Sequence, residues 1–197
     1  MPHPFDFFLS KGWNCIHLYL TANSASRVPC QTGDMRLRCA LFCLLALPCS
    51  AQTSPSVPDS LKSPAGSTLL LQVHAAGDQV HTCDGDHWVF SRPDATLFDD
   101  SGKSVGSHFA GPTWEYADHS RVIGKAVANA TPDSDSIPWL LLNATDHQGE
   151  GLMQRVTSIQ RIMTKGGKAP ASGCDAAHKG QEARSHYTAE YLFYAGS

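Results

Sequence analysis

From residue 68 onward, apolar and polar side chains alternate in short runs separated by turn-forming residues. The clearest run is the last, "HYTAEYLFY". Tyr187, Ala189, Tyr191 and Phe193 share one parity; Thr188, Glu190, Leu192 and Tyr194 share the other. A period of two marks a strand, because successive side chains point to opposite faces of a sheet. Neither parity here is fully polar, which predicts a central strand. Further strand-like runs are "TLLLQVHA", "GDQVHTC", "HWVFS", "ATLFD", "KSVGSHF", "RVIGKAVANA", "WLLLNAT" and "RVTSIQRIMT", rich in the β-branched and aromatic residues that suit a pleated surface. Asp84-Gly85 and Asp100-Ser101-Gly102 fall between runs as hairpin turns. No long stretch repeats at the helical period with capping residues. The pattern predicts an all-β, single-domain fold over residues 68–197, an antiparallel β-sandwich or a barrel-like sheet. One connection, residues 165–185, is long and poor in apolar residues, and is expected to be an ordered, functional loop.

A different pattern precedes the strands. "MRLRCALFCLLALPCSAQ" sets Arg36 and Arg38 before an apolar run, then Pro48 and small residues. That is the three-part layout of a signal peptide, here residues 35–51, and its apolar run falls short of the ~20 residues a membrane span needs. Met35 is then the expected start, and residues 1–34 lie upstream of it, outside the fold. Residues 52–67, "QTSPSVPDSLKSPAGS", read as an extended arm or linker. The chain expected after processing has 146 residues, 16 of them acidic and 11 basic, for a net charge of −5 with histidine neutral. It shows no basic stripe to bind nucleic acid and no second apolar run to cross a membrane. Of seven cysteines, only Cys83 and Cys174 follow residue 52. In an exported domain they are expected to form one disulfide, stapling the 165–185 loop to the end of "QVHTC".

Sequence motifs exclude more than they assign. "GKSVG", Gly102–Gly106, matches G-x-S-x-G, but no helix follows it, so it reads as a hairpin turn. "HTCDGDH" collects His81, Asp84, Asp86 and His87 without satisfying any zinc spacing. No dinucleotide-binding glycine pattern, P-loop or H-E-x-x-H is present. "NAT" at Asn129 and Asn143 matters only in a host that glycosylates exported proteins.

The densest chemistry is "GSHFAGPTWEY". His108, Trp114, Glu115 and Tyr116 surround a Gly-Pro turn and are the candidate ligand-binding residues. Alternation sends His108 and Phe109 to opposite faces; with Phe109 as the core candidate, His108 is expected to turn outward at the rim of a cleft and to share a face with Trp114. A second constellation, His108, His147 and His178 with Asp146 and Asp175, would suit a divalent metal if the loops converged.

Several runs, "AAGDQVHTC", "HWVFSRPDATLFDDSGK", "GSHFAGPTWE", "IPWLLL", "SIQRIMTKGGKAP", "GCDAAHKG" and "YTAEYLFY", together resemble the domain of unknown function 3455 family of small exported bacterial and fungal proteins. The resemblance spans about residues 58–195. It implies an export signal, one domain and the two cysteines, and no mechanism. Some fungal members carry a malate dehydrogenase label, which the absence of a nucleotide-binding glycine pattern and of a parallel α/β architecture does not support here.

The expectation is an exported, periplasmic or secreted, binding module for a small polar or sugar-like ligand, or an envelope component, needing no cofactor. The alternative is a metal-dependent enzyme using the loop histidines and carboxylates.

Overall fold

The computed structural model describes residues 56–196, and in them eight antiparallel strands close into a ring. The strands are β1 (Thr68–Cys83), β2 (Trp88–Phe98), β3 (Ser104–Phe109), β4 (Thr113–Tyr116), β5 (Arg121–Ala130), β6 (Trp139–Gln148), β7 (Ser158–Gly166) and β8 (Glu182–Ala195). Each pairs with the next in sequence, and β8 returns to β1 along nearly its whole length, from Thr68 opposite Ala195 to Thr82 opposite Glu182. Of the two architectures expected, this is the barrel: one sheet closed on itself, with no free edge strand in the ring. The segments 1–34 and 35–51 lie outside the described residues. Among the described residues no helix is long and apolar enough to cross a membrane.

Alternation decides what fills the barrel. Tyr187, Ala189, Tyr191 and Phe193 of β8 point inward and are buried with Val73, Ala75, Leu97, Trp114, Val122, Leu142 and Ile159. Runs that look separate in sequence fuse: "TLLLQVHA" continues through Gly77 into "GDQVHTC" as β1, and "HWVFS" continues into "ATLFD" as β2. Gly77 interrupts the hydrophobic pattern yet not the strand, because β2 passes so close that a Cβ there would lie 2.3 Å from the Asp94 carbonyl oxygen. A bulge on β2, where Ser91 is the extra residue opposite Val80 and His81, resets the parity of the first residues of β2, while β1 keeps its odd-numbered residues inward as far as Cys83.

The second parity of β8 has its own cover. Before β1, a single 3-10 turn, Asp59–Leu61, drives Leu61 into a cluster with Trp139 and Ile162, against which Val57 and Leu192 pack. Gln160 donates from Nε2 to the Leu61 carbonyl at 2.5 Å and accepts from the Tyr194 hydroxyl at 2.8 Å. Neither face of β8 is polar because the core takes one and the arm takes part of the other.

The two ends of the barrel differ. At one end the β6–β7 connection folds into a 3-10 turn, Leu152–Arg155, that pushes Met153 into the core as a floor, followed by the buried Val156. The other end is open. There the Cys83–Cys174 disulfide, with its Cα atoms 5.3 Å apart, ties the end of β1 to the β7–β8 connection. That connection is shorter than the sequence pattern implied, because β7 runs to Gly166 and β8 begins at Glu182. It is also pinned along its length: Trp88 Nε1 donates to the Ser172 carbonyl at 2.9 Å, Gly180 N to the Cys83 carbonyl at 2.8 Å, and Cys83 N to the Gln181 carbonyl at 2.9 Å.

Candidate functional site

The open end leads into a cavity of about 1150 Å³. Its rim is built by the β3–β4 turn at Gly111 and Pro112, by the 131–138 connection, by Gly167–Ala169 at the start of the stapled loop, and by Phe90 and Pro93 of β2. The rim segments are joined to one another. Thr164 Oγ1 donates to the Ile137 carbonyl at 2.5 Å, Lys168 Nζ to the Ser134 carbonyl at 2.7 Å, and Lys165 pairs with Asp133 at 3.0 Å. Much of the wall is apolar, with Ile123, Ile137, Leu140 and Leu142 among its residues. Gly124 is part of that wall, and a Cβ there would come within 3.0 Å of the Trp114 ring.

Polar groups interrupt the apolar lining. Arg161 reaches it because β7 alternates: Ile159 points into the core, and Arg161, two residues on, points the same way one step nearer the opening. Its Nε and Nη2 both donate to the Pro138 carbonyl, at 3.1 and 2.9 Å. Near it the buried Trp114 Nε1 and the hydroxyls of Tyr187 and Tyr191 make no hydrogen bond; nor do Gln79 Nε2 and His81 Nδ1, which lie on β1 opposite Pro93 and Phe90. The Tyr191 hydroxyl adjoins Arg161, Trp114 and Tyr187, and the Tyr187 hydroxyl adjoins Gln79, without closing a bond to any of them. Burial raises the pKa of both phenols, so they remain protonated donors at physiological pH.

His108 stands beside this group. It is 3% exposed and lies flat against Trp114, with ring centroids 4.3 Å apart and planes 6° from parallel, and it meets Tyr191 edge-on at 5.2 Å. The stack follows from register, since His108 and Trp114 are direct partners in the β3–β4 pair. Nδ1 sits 2.9 Å from the Thr113 carbonyl oxygen, so it must carry the proton, and Nε2 is left as an acceptor. Burial pushes the imidazole pKa down to about 3; the bond to Thr113 opposes that shift, and the Arg161 charge adds to it. A neutral imidazole of such low basicity is a hydrogen-bond acceptor more than a proton-abstracting base.

The ring separates the four residues expected to form the ligand site. His108 and Trp114 line the cavity together. His108 is turned inward, whereas alternation around an assumed inward Phe109 had predicted the reverse. Phe109 is on the outer surface, half-buried, with the Arg121 guanidinium 5.7 Å above its ring. Glu115 alternates outward from Trp114 and accepts from Arg121 Nε at 2.5 Å, a bond that holds its carboxyl below the usual range. Tyr116 packs against the core and is not part of the cavity lining.

The second constellation is dispersed. His147 Nε2 donates to the Val156 carbonyl at 2.8 Å, and Asp146 Oδ1 accepts from the backbone N of His147 at 2.8 Å. His178 Nδ1 lies 2.7 Å from Asp175, which also caps the 3-10 turn Ala176–His178. Among the described residues no group of three or more metal-ligating side chains is gathered in one place. In "HTCDGDH", Asp84 is occupied by turn bonds to the backbone N of Asp86 and His87, Cys83 is in the disulfide, and His81 lines the cavity, where burial lowers its pKa.

Sequence reasoning missed Arg161 and Gln79. The available signal was parity: each is a polar residue on the inward face of a strand whose other inward residues are apolar, Ile159 in β7 and Val73 and Ala75 in β1. The contribution of the 131–138 segment had no such signal, because it depends on the loop folding back over the opening.

Fold and site together define a class: an up-and-down eight-stranded β-barrel with a plugged floor and a large cavity at its open end. Residues 64–195, more than half of the chain, match the family described as "Protein of unknown function (DUF3455)", and the chain belongs to that family, as its motifs implied. No curated protein and no solved structure matches it.

Proposed function

We propose that the protein is an exported binding module that takes a small molecule into the open end of its barrel. The observation that carries this reading is the cavity itself: about 1150 Å³ of space at the open end of an eight-stranded barrel, a size of barrel whose interior either is filled by side chains or holds one small ligand. Its largely apolar wall with a few buried polar atoms is the usual composition of a small-molecule site. That composition suits an amphipathic ligand better than a sugar, whose many hydroxyls would each need a partner. Export is part of the proposal and is supported by the 35–51 sequence pattern and by a disulfide of the kind oxidising compartments sustain.

The test is binding of the neutral fluorophore N-phenyl-1-naphthylamine to the purified protein. Saturable fluorescence enhancement is expected, and Ala126→Phe, which fills the cavity from β5, is expected to abolish it while leaving the melting temperature within a few degrees. No enhancement with the wild-type protein, or equal enhancement with Ala126→Phe, would overturn the reading.

A further inference from the structure

The charges around the cavity do not match those of the chain. The chain as a whole carries a net charge of −3, yet the cavity is lined by Arg161, Lys125 and Lys168 and by no aspartate or glutamate. Lys125 and Lys168 are exposed at the rim, whereas Arg161 is partly buried inside. The other arginines of the barrel wall meet carboxylates: Arg92 meets Glu182, Arg121 meets Glu115, and Arg184 meets Asp78 and Asp94. Among the described residues Arg161 meets none; its hydrogen bonds go to one backbone carbonyl, which fixes the Nε and Nη2 edge and leaves Nη1 unengaged. A partly desolvated cation without a counter-charge is unfavourable, and the shortfall is met by an anion.

The unpaired buried atoms point the same way. Trp114 Nε1 and Gln79 Nε2 can only donate, and the Tyr187 and Tyr191 hydroxyls can donate as well. Unpaired hydrogen-bond donors therefore gather around the cavity and its single inner guanidinium, with Tyr187 just behind the lining. One inner cation balances one negative charge, so a monoanion fits where a phosphate dianion would leave charge uncompensated. The rest of the lining is largely apolar, with Leu140 directly opposite Arg161, Ile137 in the connection over the opening and Phe90 at the rim.

We infer that the ligand is a carboxylic acid with an apolar body, its carboxylate held by the Arg161 guanidinium and its body lying along the apolar wall toward the opening. The inference rests on the binding reading above and names the ligand class of the same site. The planar guanidinium matches a carboxylate geometrically, and charge-assisted bonds of this kind are about twice as strong as neutral ones. The buried Tyr191 hydroxyl and Trp114 N–H add positive potential behind it.

The experiment compares two probes that differ only in head group. Decanoate and 1-decanol are titrated against protein loaded with N-phenyl-1-naphthylamine, and direct binding of decanoate is measured in parallel by calorimetry. Decanoate is expected to displace the fluorophore at a concentration about tenfold or more below that of decanol, a difference of ~1.4 kcal/mol. In Arg161→Gln the preference for decanoate over decanol is expected to disappear. Tyr191→Phe, which keeps the packing, is expected to narrow that preference several-fold, and it serves if Arg161→Gln does not fold. Equal displacement by decanoate and decanol in the wild type, a preference that survives Arg161→Gln, or inorganic phosphate competing as well as decanoate would each overturn the inference. Retained fluorophore binding in those cases leaves the binding reading standing. A wild type that binds neither the fluorophore nor decanoate in the calorimeter refutes both.

Discussion

The two ends of the barrel both carry polar groups against the core and finish in opposite states. At the floor, Asp118 accepts from the backbone N and the hydroxyl of Ser120, at 3.0 and 2.6 Å, and from Leu152 N at 2.8 Å; the Ser120 hydroxyl oxygen in turn accepts from Met153 N at 3.0 Å. Polar groups there form a closed set that holds Met153 in place as a plug. At the open end Gln79, His81, Trp114, Tyr187 and Tyr191 are buried more deeply than the exposed Asp118, yet each leaves a polar atom without a partner. Buried polar groups are nearly always paired, and an unpaired donor or acceptor costs about 1–3 kcal/mol. Among the described residues seven buried side-chain atoms lack a partner; five belong to these residues, and the other two are the Ser67 and Ser158 hydroxyls toward the floor, so unfilled bonding capacity is greater at the open end.

The comparison can be broken most forcefully at the floor. Met153→Ala removes a fully buried side chain from a plug with little freedom to collapse, and is expected to lower unfolding stability by about 2–5 kcal/mol in urea titrations. A loss under ~1 kcal/mol would mean that the floor is not the rigid end. Next comes the staple at the open end. Cys174→Ser is expected to cost ~2–4 kcal/mol, and hydrogen exchange should rise in residues 167–181 ahead of the floor. Uniform loosening of both ends would count against the division.

A smaller effect is expected from pH. The folded pKa of His108, about 3, lies below the ordinary value near 6.5, so below pH 6.5 the unfolded chain takes up a proton that the folded protein refuses. The sign is a loss of stability as pH falls, beginning near 6.5 and continuing toward 3. At ~1.4 kcal/mol per unit it amounts to about 2 kcal/mol by pH 5. His108→Gln should flatten that portion of the stability profile, and an unchanged slope would refute the assignment. The smallest effect sharpens the contrast most. Tyr187→Phe and Tyr191→Phe each delete a hydroxyl that satisfies nothing, so each should change stability by less than ~1 kcal/mol in either direction. Asp118→Ala at the floor should cost more than either, because it leaves Leu152 N and the Ser120 groups without an acceptor.

Much of the fold was legible in the chain. The parity of Tyr187, Ala189, Tyr191 and Phe193 identified their buried face, the Asp-Gly and Asp-Ser-Gly turns fell between strands as read, and the cysteines paired as their number implied. The site was legible in part. His108 and Trp114 were singled out from their density around Gly111-Pro112, and they do stack at the cavity, but Glu115 and Tyr116 came with them only because they are neighbours in sequence. Arg161 and Gln79, far away along the chain, belong to no dense local cluster and so were not singled out.

Alternation along a strand determines which residues share a face, and so the sequence by itself settled that His108 and Phe109 part company. It does not say which face is inside. Closure of the ring decided that, turning His108 in and Phe109 out; the bulge at Ser91, opposite Val80 and His81, likewise reset the register of β2 near the opening. The unpaired donors around Arg161 come from β1, β4 and β8, and a lack of partners is a property of the space between strands, which exists only once the ring has formed.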